Sequence, residues 1–342
     1  MRTKKIREMI TNVRIESFGP INSIQWDDLQ KINLVIGRNS SGKTMILKAI
    51  YAAMRSVEQY RRGNNPDPFK RILSNKLYWT FQVNELGKLV KKGNSELLFS
   101  CTSDQSETMS FQFGESTVKN IVNAECGFLP RDINSIFLPA KEILSLRDLI
   151  LRSRDDLNVF GFDDPYYDLA KALSPPRRGR NYKVFSQARE QLKKAIGGSV
   201  VYSENKKVWE FKDKDNKVYD IDVTAEGIKK LGILDALLGN HYLSKGSIVF
   251  IDEPECALHP ELVSSFMDII LSLTNVGIQV FIATHSYFVI KKMYLLARKN
   301  RISIPIISNN GEEWEQYNLS DGMPDNPIID ESIRLYKEEI ML

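Results

Sequence analysis

The chain has 342 residues, 42% hydrophobic and 26% charged, which is ordinary globular composition with enough apolar material for a sizeable core; the length suits two or three domains, or one domain with an insertion. A net charge of +4 does not demand a nucleic-acid partner. The three cysteines, Cys101, Cys126 and Cys256, are scattered without metal-ligand spacing and argue against a disulfide framework.

The basic start lacks the apolar stretch of a signal peptide, and no apolar run approaches the roughly 20 residues that span a bilayer. A cytoplasmic protein with no membrane partner is therefore expected.

Taken in chain order, Val13 to Glu16 alternates as a strand and stops at Phe18-Gly19-Pro20. Lys31 to Ile36 is a second, apolar strand, and it runs into a turn rich in glycine and serine. Ile46, Leu47, Ile50, Met54 and Val57 then recur at helical spacing. Arg61 to Pro68 is a loop by its breakers. Leu77 to Val83, Leu97 to Cys101 and Ser135 to Leu138 read as strands, and 142–152 and 184–196 as helices. Between those helices, Ser174 to Arg180 is a basic loop rich in breakers. Val208 to Phe211 and Val218 to Val223 flank Asp215-Asn216-Lys217 as a hairpin.

Clear α/β patterning returns near the end. A helix over 225–239 precedes the strand Ile248 to Ile251, and a helix over 261–273 precedes the strand Val280 to Ala283. Leu295 to Ile307 and Trp314 to Leu319 are available to finish the sheet, and Asn326-Pro327 opens an amphipathic helix that ends near Ile340. Strands alternating with helices indicate a parallel sheet covered on both faces. The expected organisation is a core begun over 1–84, left for an insertion over 85–222 and resumed over 223–342.

The glycine- and serine-rich turn, Gly37-Arg38-Asn39-Ser40-Ser41-Gly42-Lys43-Thr44, matches G-x-x-x-x-G-K-[ST]. Glycines let a loop wrap closely round phosphates, and the N-terminus of the following helix adds its positive dipole end. Gly37, Asn39, Ser40, Ser41, Gly42, Lys43 and Thr44 form the expected nucleotide-binding set. Lys43 is expected on the β- and γ-phosphates and Thr44 on Mg²⁺. The strand before and the helix after supply the context that a chance glycine turn lacks.

Ile248 to Ile251 ends in Asp252-Glu253, two carboxylates at the end of a buried strand, where ligands sit in open α/β sheets. Alone, such a pair would equally suit a solvated turn. With the P-loop, Asp252 is expected to hold Mg²⁺ and Glu253 to orient or activate water. The strand Val280 to Ala283 ends in Thr284-His285-Ser286, which places His285 where it can meet a γ-phosphate. His259 reads as structural and His241 as a loop residue.

The order P-loop, Asp-Glu, Thr-His-Ser resembles the ABC-type ATPases, in the branch with SMC and RecF proteins. The run Asp252-Glu253-Pro254-Glu255-Cys256-Ala257-Leu258-His259-Pro260 is similar to that of OLD-like and related AAA-type bacterial ATPases. The resemblance implies an α/β P-loop NTPase of ABC/SMC-head type with an inserted mixed α/β or helical subdomain. It implies ATP and Mg²⁺ as ligands, and a homodimer or higher homo-oligomer in which a signature segment of one subunit closes over the ATP of the other.

That segment falls at Thr224 to Leu231. Gly227 matches the family's L-S-x-G pattern, and Ala225 stands where a serine is expected. Gln82 is a candidate for the family's glutamine loop.

Small relatives of this kind resemble ATPase subunits of bacterial anti-phage systems, Septu-like or retron-linked, in which a separate nuclease or toxin acts. An ATP-driven switch with a separate effector is thus expected. A RecF-like repair ATPase that binds DNA and a non-hydrolysing ATP-gated scaffold are the alternatives. Arg177, Arg178, Arg180 and Lys183, with Tyr182, form a possible nucleic-acid contact, and Arg61 and Arg62 are similar. Asp155-Asp156 and Asp163-Asp164 read as solvated turns or helix caps, without the strands that a two-metal nuclease centre needs.

Overall fold

The computed structural model describes residues 9–62, 67–173, 183–311 and 313–342. Strands β1 (Ile10–Phe18), β2 (Ile21–Trp26) and β3 (Ile32–Ile36) lead to helices α1 (Lys43–Gln59) and α2 (Phe69–Phe81). Strands β4 (Glu96–Ser103), β5 (Thr108–Gly114), β6 (Asn123–Cys126) and β7 (Ile136–Leu138) follow. Helices α3 (Arg147–Asp155), α4 (Asp164–Ala172) and α5 (Ser186–Ile196) precede β8 (Gly198–Ser203), β9 (Val208–Asp213) and β10 (Val218–Asp220). The last part runs α6 (Glu226–Gly239), β11 (Ile248–Asp252), α7 (Pro260–Asn275), β12 (Gln279–Thr284), α8 (Tyr287–Asn300), β13 (Pro305–Asn309), β14 (Trp314–Asn318) and α9 (Pro327–Met341).

The central sheet has the order β14-β13-β3-β12-β11-β7, parallel except for β14. Its middle strands are buried at every position, as continuous apolar runs predict for a sheet covered on both faces. Alternate residues feed two cores. Leu34, Val249, Ile251, Val280 and Ile282 face one with α6 and α7, while Val35, Phe250, Phe281 and Ala283 face the other with α1. Phe137, Phe250 and Phe281, one from each of three neighbouring strands, stack with centroids 6.3 and 5.2 Å apart, and Trp26 meets Phe281 edge-on.

A second, antiparallel sheet has the order β2-β1-β4-β5-β6. The pairing of β1 with β4 joins residues on both sides of the 84/85 division expected from sequence, and β7 adds a strand to the central sheet. The three-stranded sheet β10-β9-β8 is separate from these two, while α3 to α6 share the core on one face of the central sheet.

Leu77 to Val83 is not a strand. Leu77 continues the buried series Phe69 and Leu73 at a spacing of four, so the segment is the last part of α2, and Gln82 caps it in the left-handed region. Strand β2 lacks a strand signature in sequence, because its buried residues, Ile21, Ile24 and Trp26, do not alternate strictly. Residues 221–223 form a 3-10 turn instead of extending the hairpin, and Leu295 lies in α8. The basic loop from Ser174, with Tyr182, lies outside the described residues.

Candidate functional site

The P-loop leaves β3 at Ile36 and enters α1 at Lys43. Gly42 is the N-cap, with φ 103, a conformation that side chains rarely adopt; a Cβ there would also come within 3.0 Å of Pro20. Helix geometry leaves the first amides of α1 without internal acceptors, so they are free to face an anion. Lys43 Nζ donates to the carbonyls of Gly37 and Arg38, each at 2.9 Å. Burial lowers its pKa, against the opposing pull of Glu253, Asp252 and Glu255. The Ser41 hydroxyl is buried inside the loop with no hydrogen-bond partner among the described residues.

Thr44 and Asp252 meet across the end of the sheet, with the Thr44 hydroxyl 3.1 and 2.9 Å from the two carboxylate oxygens. Burial pushes the Asp252 carboxyl up to about 6, the Thr44 hydrogen bond opposes this, and the neighbouring Glu253 adds to it. Such a hydroxyl–carboxylate pair beside the phosphate loop and the N-terminus of α1 has the donor chemistry for a hard divalent ion next to phosphates. The orphaned Ser41 hydroxyl and the Lys43 ammonium, held only by carbonyls, complete a site fitted to a nucleotide phosphate chain with Mg²⁺.

Glu253 follows with φ 46, which turns its side chain away from the strand direction. It lines a cleft of about 480 Å³ together with Pro20, Asn39, Ser40, Gly42, Lys43, Thr44, Met45 and His285. His285 Nδ1 is 3.2 Å from Glu253 Oε1 and 3.6 Å from Glu255 Oε1. Cys256 Sγ donates to Glu253 Oε2 at 3.2 Å, and its thiol is pushed up to about 11 by burial and by that carboxylate. Lys230 Nζ, on α6, donates to the main-chain oxygens of Glu253 at 2.7 Å and Ala140 at 3.3 Å. Lys229 Nζ reaches Ser145 at 2.9 Å and Glu142 at 3.4 Å.

The structure thus brings together Asn39, Ser40, Gly42, Lys43, Thr44, Asp252, Glu253 and His285. Gly227 lies outside this cleft. It is buried against the turn after Glu253, where a Cβ would come within 2.8 Å of the Ala257 carbonyl oxygen and of Leu258. Only the residues just before it, Ala225 and Glu226, are exposed. Gln82 is also outside the cleft; the loop that reaches the site is Pro139 to Glu142, after β7, through Lys230.

His259 caps α7, accepting from the Glu261 amide, as a structural residue should. Sequence reasoning missed Lys230, Cys256 and Glu255. The last two stand inside the Asp252 to Pro260 run, and their place in that run is the one sequence signal that marks them.

Of the two expectations for Asp163 and Asp164, helix cap holds for Asp163, and neither acid is a solvated turn. Asp163 caps α4 and pairs with Lys48 of α1 at 2.6 Å. Asp164 is buried between Arg154 at 2.6 Å and Lys76 at 2.7 Å. Asp168, one turn on, accepts from Tyr51, Lys76 and Arg55; burial would raise its carboxyl, but the two cations and the Tyr51 hydrogen bond hold it well below the usual range. Arg61 lies over the Tyr60 ring, and Arg62 donates to the Arg131 carbonyl, so both are engaged within the chain.

The architecture is that of a P-loop NTPase of ABC/SMC-head type. It is similar to an SMC head solved with the C-winged helix domain of ScpA, at 14% identity and TM-score 0.54, covering 90% of this chain and 97% of that one. It is equally similar to an SMC head with an extended coiled coil solved with the C-terminal domain of ScpA derived from Pyrococcus furiosus, at 13% identity and TM-score 0.54, covering 97% and 99%. Residues 125–291 match the family model described as AAA domain, putative AbiEii toxin, Type IV TA system. A stretch of 106 residues is 28% identical to the DNA replication and repair protein RecF of Francisella tularensis subsp. mediasiatica. That stretch covers 26% of this chain and spans only 30% of the relative's length. Among the described residues no helix is long and apolar enough to cross a membrane.

Proposed function

We propose that this chain binds and hydrolyses ATP with Mg²⁺ and works as a conformational switch for a separate effector. The observation that carries the reading is the meeting of Thr44 with Asp252 at 2.9 Å, at the mouth of a cleft that also holds Lys43, Glu253 and His285. When bound, Mg²⁺ offsets phosphate charge. Thr44 and Asp252 are the residues that would hold it. Lys43 exchanges its two carbonyl partners for phosphate oxygens, and the amides of Asn39 to Thr44 line the anion. Glu253 accepts the proton of the attacking water or fixes its orientation. His285 restrains Glu253 in the arrangement seen here and contacts the phosphate end when Glu253 turns to the water.

The chemistry accounted for is that of ATP alone, so the output is assigned to a partner: a nuclease or toxin in an anti-phage role, with a homodimer as the switching unit in the cytoplasm. The family model's description as a putative toxin-system component and the SMC heads solved with ScpA domains support a partner-coupled ATPase of this type. The RecF stretch favours a second reading, a repair ATPase that binds DNA directly.

The test is ATP turnover by the purified chain, with and without Mg²⁺ and with and without DNA, together with pull-down of the native complex. Glu253→Gln should keep nucleotide binding and trap a closed, ATP-bound assembly. Undiminished hydrolysis by that variant places the base elsewhere, and strong DNA stimulation favours the RecF-like reading.

A further inference from the structure

Glu255 has no part in the hydrolysis scheme above, yet its carboxylate is built into the segment that carries His285. Glu255 Oε1 accepts from the Thr284 hydroxyl at 2.7 Å and from the His285 amide at 3.2 Å. Thr284 Oγ1 accepts in turn from the Ser286 amide at 2.9 Å. One carboxylate oxygen therefore orders three consecutive residues where β12 ends and α8 begins. The second oxygen, Oε2, is buried with no hydrogen-bond partner among the described residues. An unpaired buried acceptor of this kind is normally a cost to the fold, and it leaves the carboxylate with acceptor capacity that its present contacts do not use.

The imidazole stands between two acids. His285 Nδ1 is 3.2 Å from Glu253 Oε1 and 3.6 Å from Glu255 Oε1, and a single Nδ1–H is donated well to only one acceptor at a time. Glu253 has Oε1 against His285 and Oε2 accepting from Cys256, so both of its oxygens are engaged in this arrangement. Lys43 from α1 also faces both acids, and Cys256 and Lys230 hold Glu253 from its other side.

We propose that Glu255 is a positioning residue for His285: it fixes the histidine's main chain and takes over its Nδ1–H when Glu253 is released to the attacking water. The imidazole then keeps its orientation through the turnover step. No bond is made or broken in this exchange; one hydrogen bond replaces another. The inference rests on the ATPase reading of the same cleft.

The experiment is a double-mutant cycle on the full chain with ATP and Mg²⁺, using Glu255→Gln, His285→Ala and the double variant. Glu255→Gln should lower kcat by about 10-fold with little change in KM, and by less than about 2-fold once His285 is alanine, because the residue then has nothing to position. Equal losses in both backgrounds would show a merely structural role and overturn the proposal. If Glu255→Gln does not fold, Thr284→Val replaces it in the same cycle with the same expectation.

A nucleotide-free arm uses amide hydrogen exchange: Glu255→Ala should speed exchange at His285 and Ser286, and unchanged protection there also overturns the proposal. Absence of ATP turnover in the unaltered chain sinks the ATPase reading itself. Turnover with an additive cycle sinks only the role of Glu255.

Discussion

Lys230 Nζ donates to the main-chain oxygen of Glu253 at 2.7 Å, tying the first turns of α6 to the acidic end of β11. The ammonium is buried, burial lowers its pKa, and its hydrogen bonds go to two carbonyls, those of Glu253 and Ala140. Lys230→Met should keep the packing volume while stripping the ammonium from both carbonyls; that of Glu253 keeps the Cys256 amide at 3.1 Å, and that of Ala140 loses its donor. We expect kcat to fall by about 10- to 100-fold, on the scale of roughly 1–3 kcal/mol per orphaned buried group, with ATP affinity nearly unchanged. Parallel measurement of kcat and ATP Kd checks this, and an equal loss in both would mean that Lys230 supports the whole site.

Lys43→Ala removes the cation that the P-loop carbonyls now hold. ATP affinity should fall by at least about 100-fold, the scale of about 3 kcal/mol for hydrogen bonds to a charged group. Equilibrium binding with fluorescent ATP checks it. Retained tight binding would dissolve the assignment of the phosphate site.

Asp252 supplies a pH dependence. Its carboxyl is raised to about 6 from an ordinary value of 3.8, with burial as the main cause. The folded state therefore holds a proton between those values that the unfolded chain has lost. Stability from this group is greatest below the unfolded value and is lost as pH rises through about 6, by roughly 3 kcal/mol if the shift is fully expressed. Mg²⁺ competes with that proton, so its affinity should weaken as pH falls through about 6. Titration calorimetry with Mg²⁺ and nucleotide at pH 5.5 and 7.5 checks the direction; tighter binding at the lower pH would contradict it.

Trans completion by the Gly227 segment is best tested away from Gly227 itself, since a side chain there would strike the Ala257 carbonyl. Ala225 is exposed and is the N-cap of α6. Ala225→Asp should cap the helix favourably while presenting a negative charge to any incoming phosphate. Alone it should slow turnover without loss of thermal stability. Mixed with Lys43→Ala, it leaves one site of each heterodimer with both defects and the other with neither, so activity should reappear. Verified mixed dimers that remain inactive argue for sites complete within one subunit.

The parts of the site carried by local sequence were readable in advance. Gly37 to Thr44 and the runs ending at Asp252 and His285 lie at strand ends, and buried parallel strands announce themselves as unbroken apolar segments. The contacts of Lys230 with Glu253, and of Glu255 with Thr284, join residues on different elements, and periodicity carries no information about such pairs. The same limit hid the environment of Asp164. Its neighbours look like a loop in sequence, and only the approach of Lys76 and Arg154 makes it a buried ion. Leu77 to Val83 has the look of a strand only in isolation from the residues before it, which belong to the same helix. Phe69 and Leu73 set the period, and Leu77 belongs to their face.

The buried charges that surround Asp164 and Asp168 also constrain how the molecule can move. Lys76 on α2, Arg154 on α3, and Tyr51 and Arg55 on α1 all converge on two carboxylates of α4. Sliding any one helix would strand an ion away from water, at about 3–5 kcal/mol for each broken pair. These four helices should therefore travel with the phosphate loop as one rigid body, and a hinge that answers to nucleotide has to lie beyond them, towards α6 and the residues that follow α5.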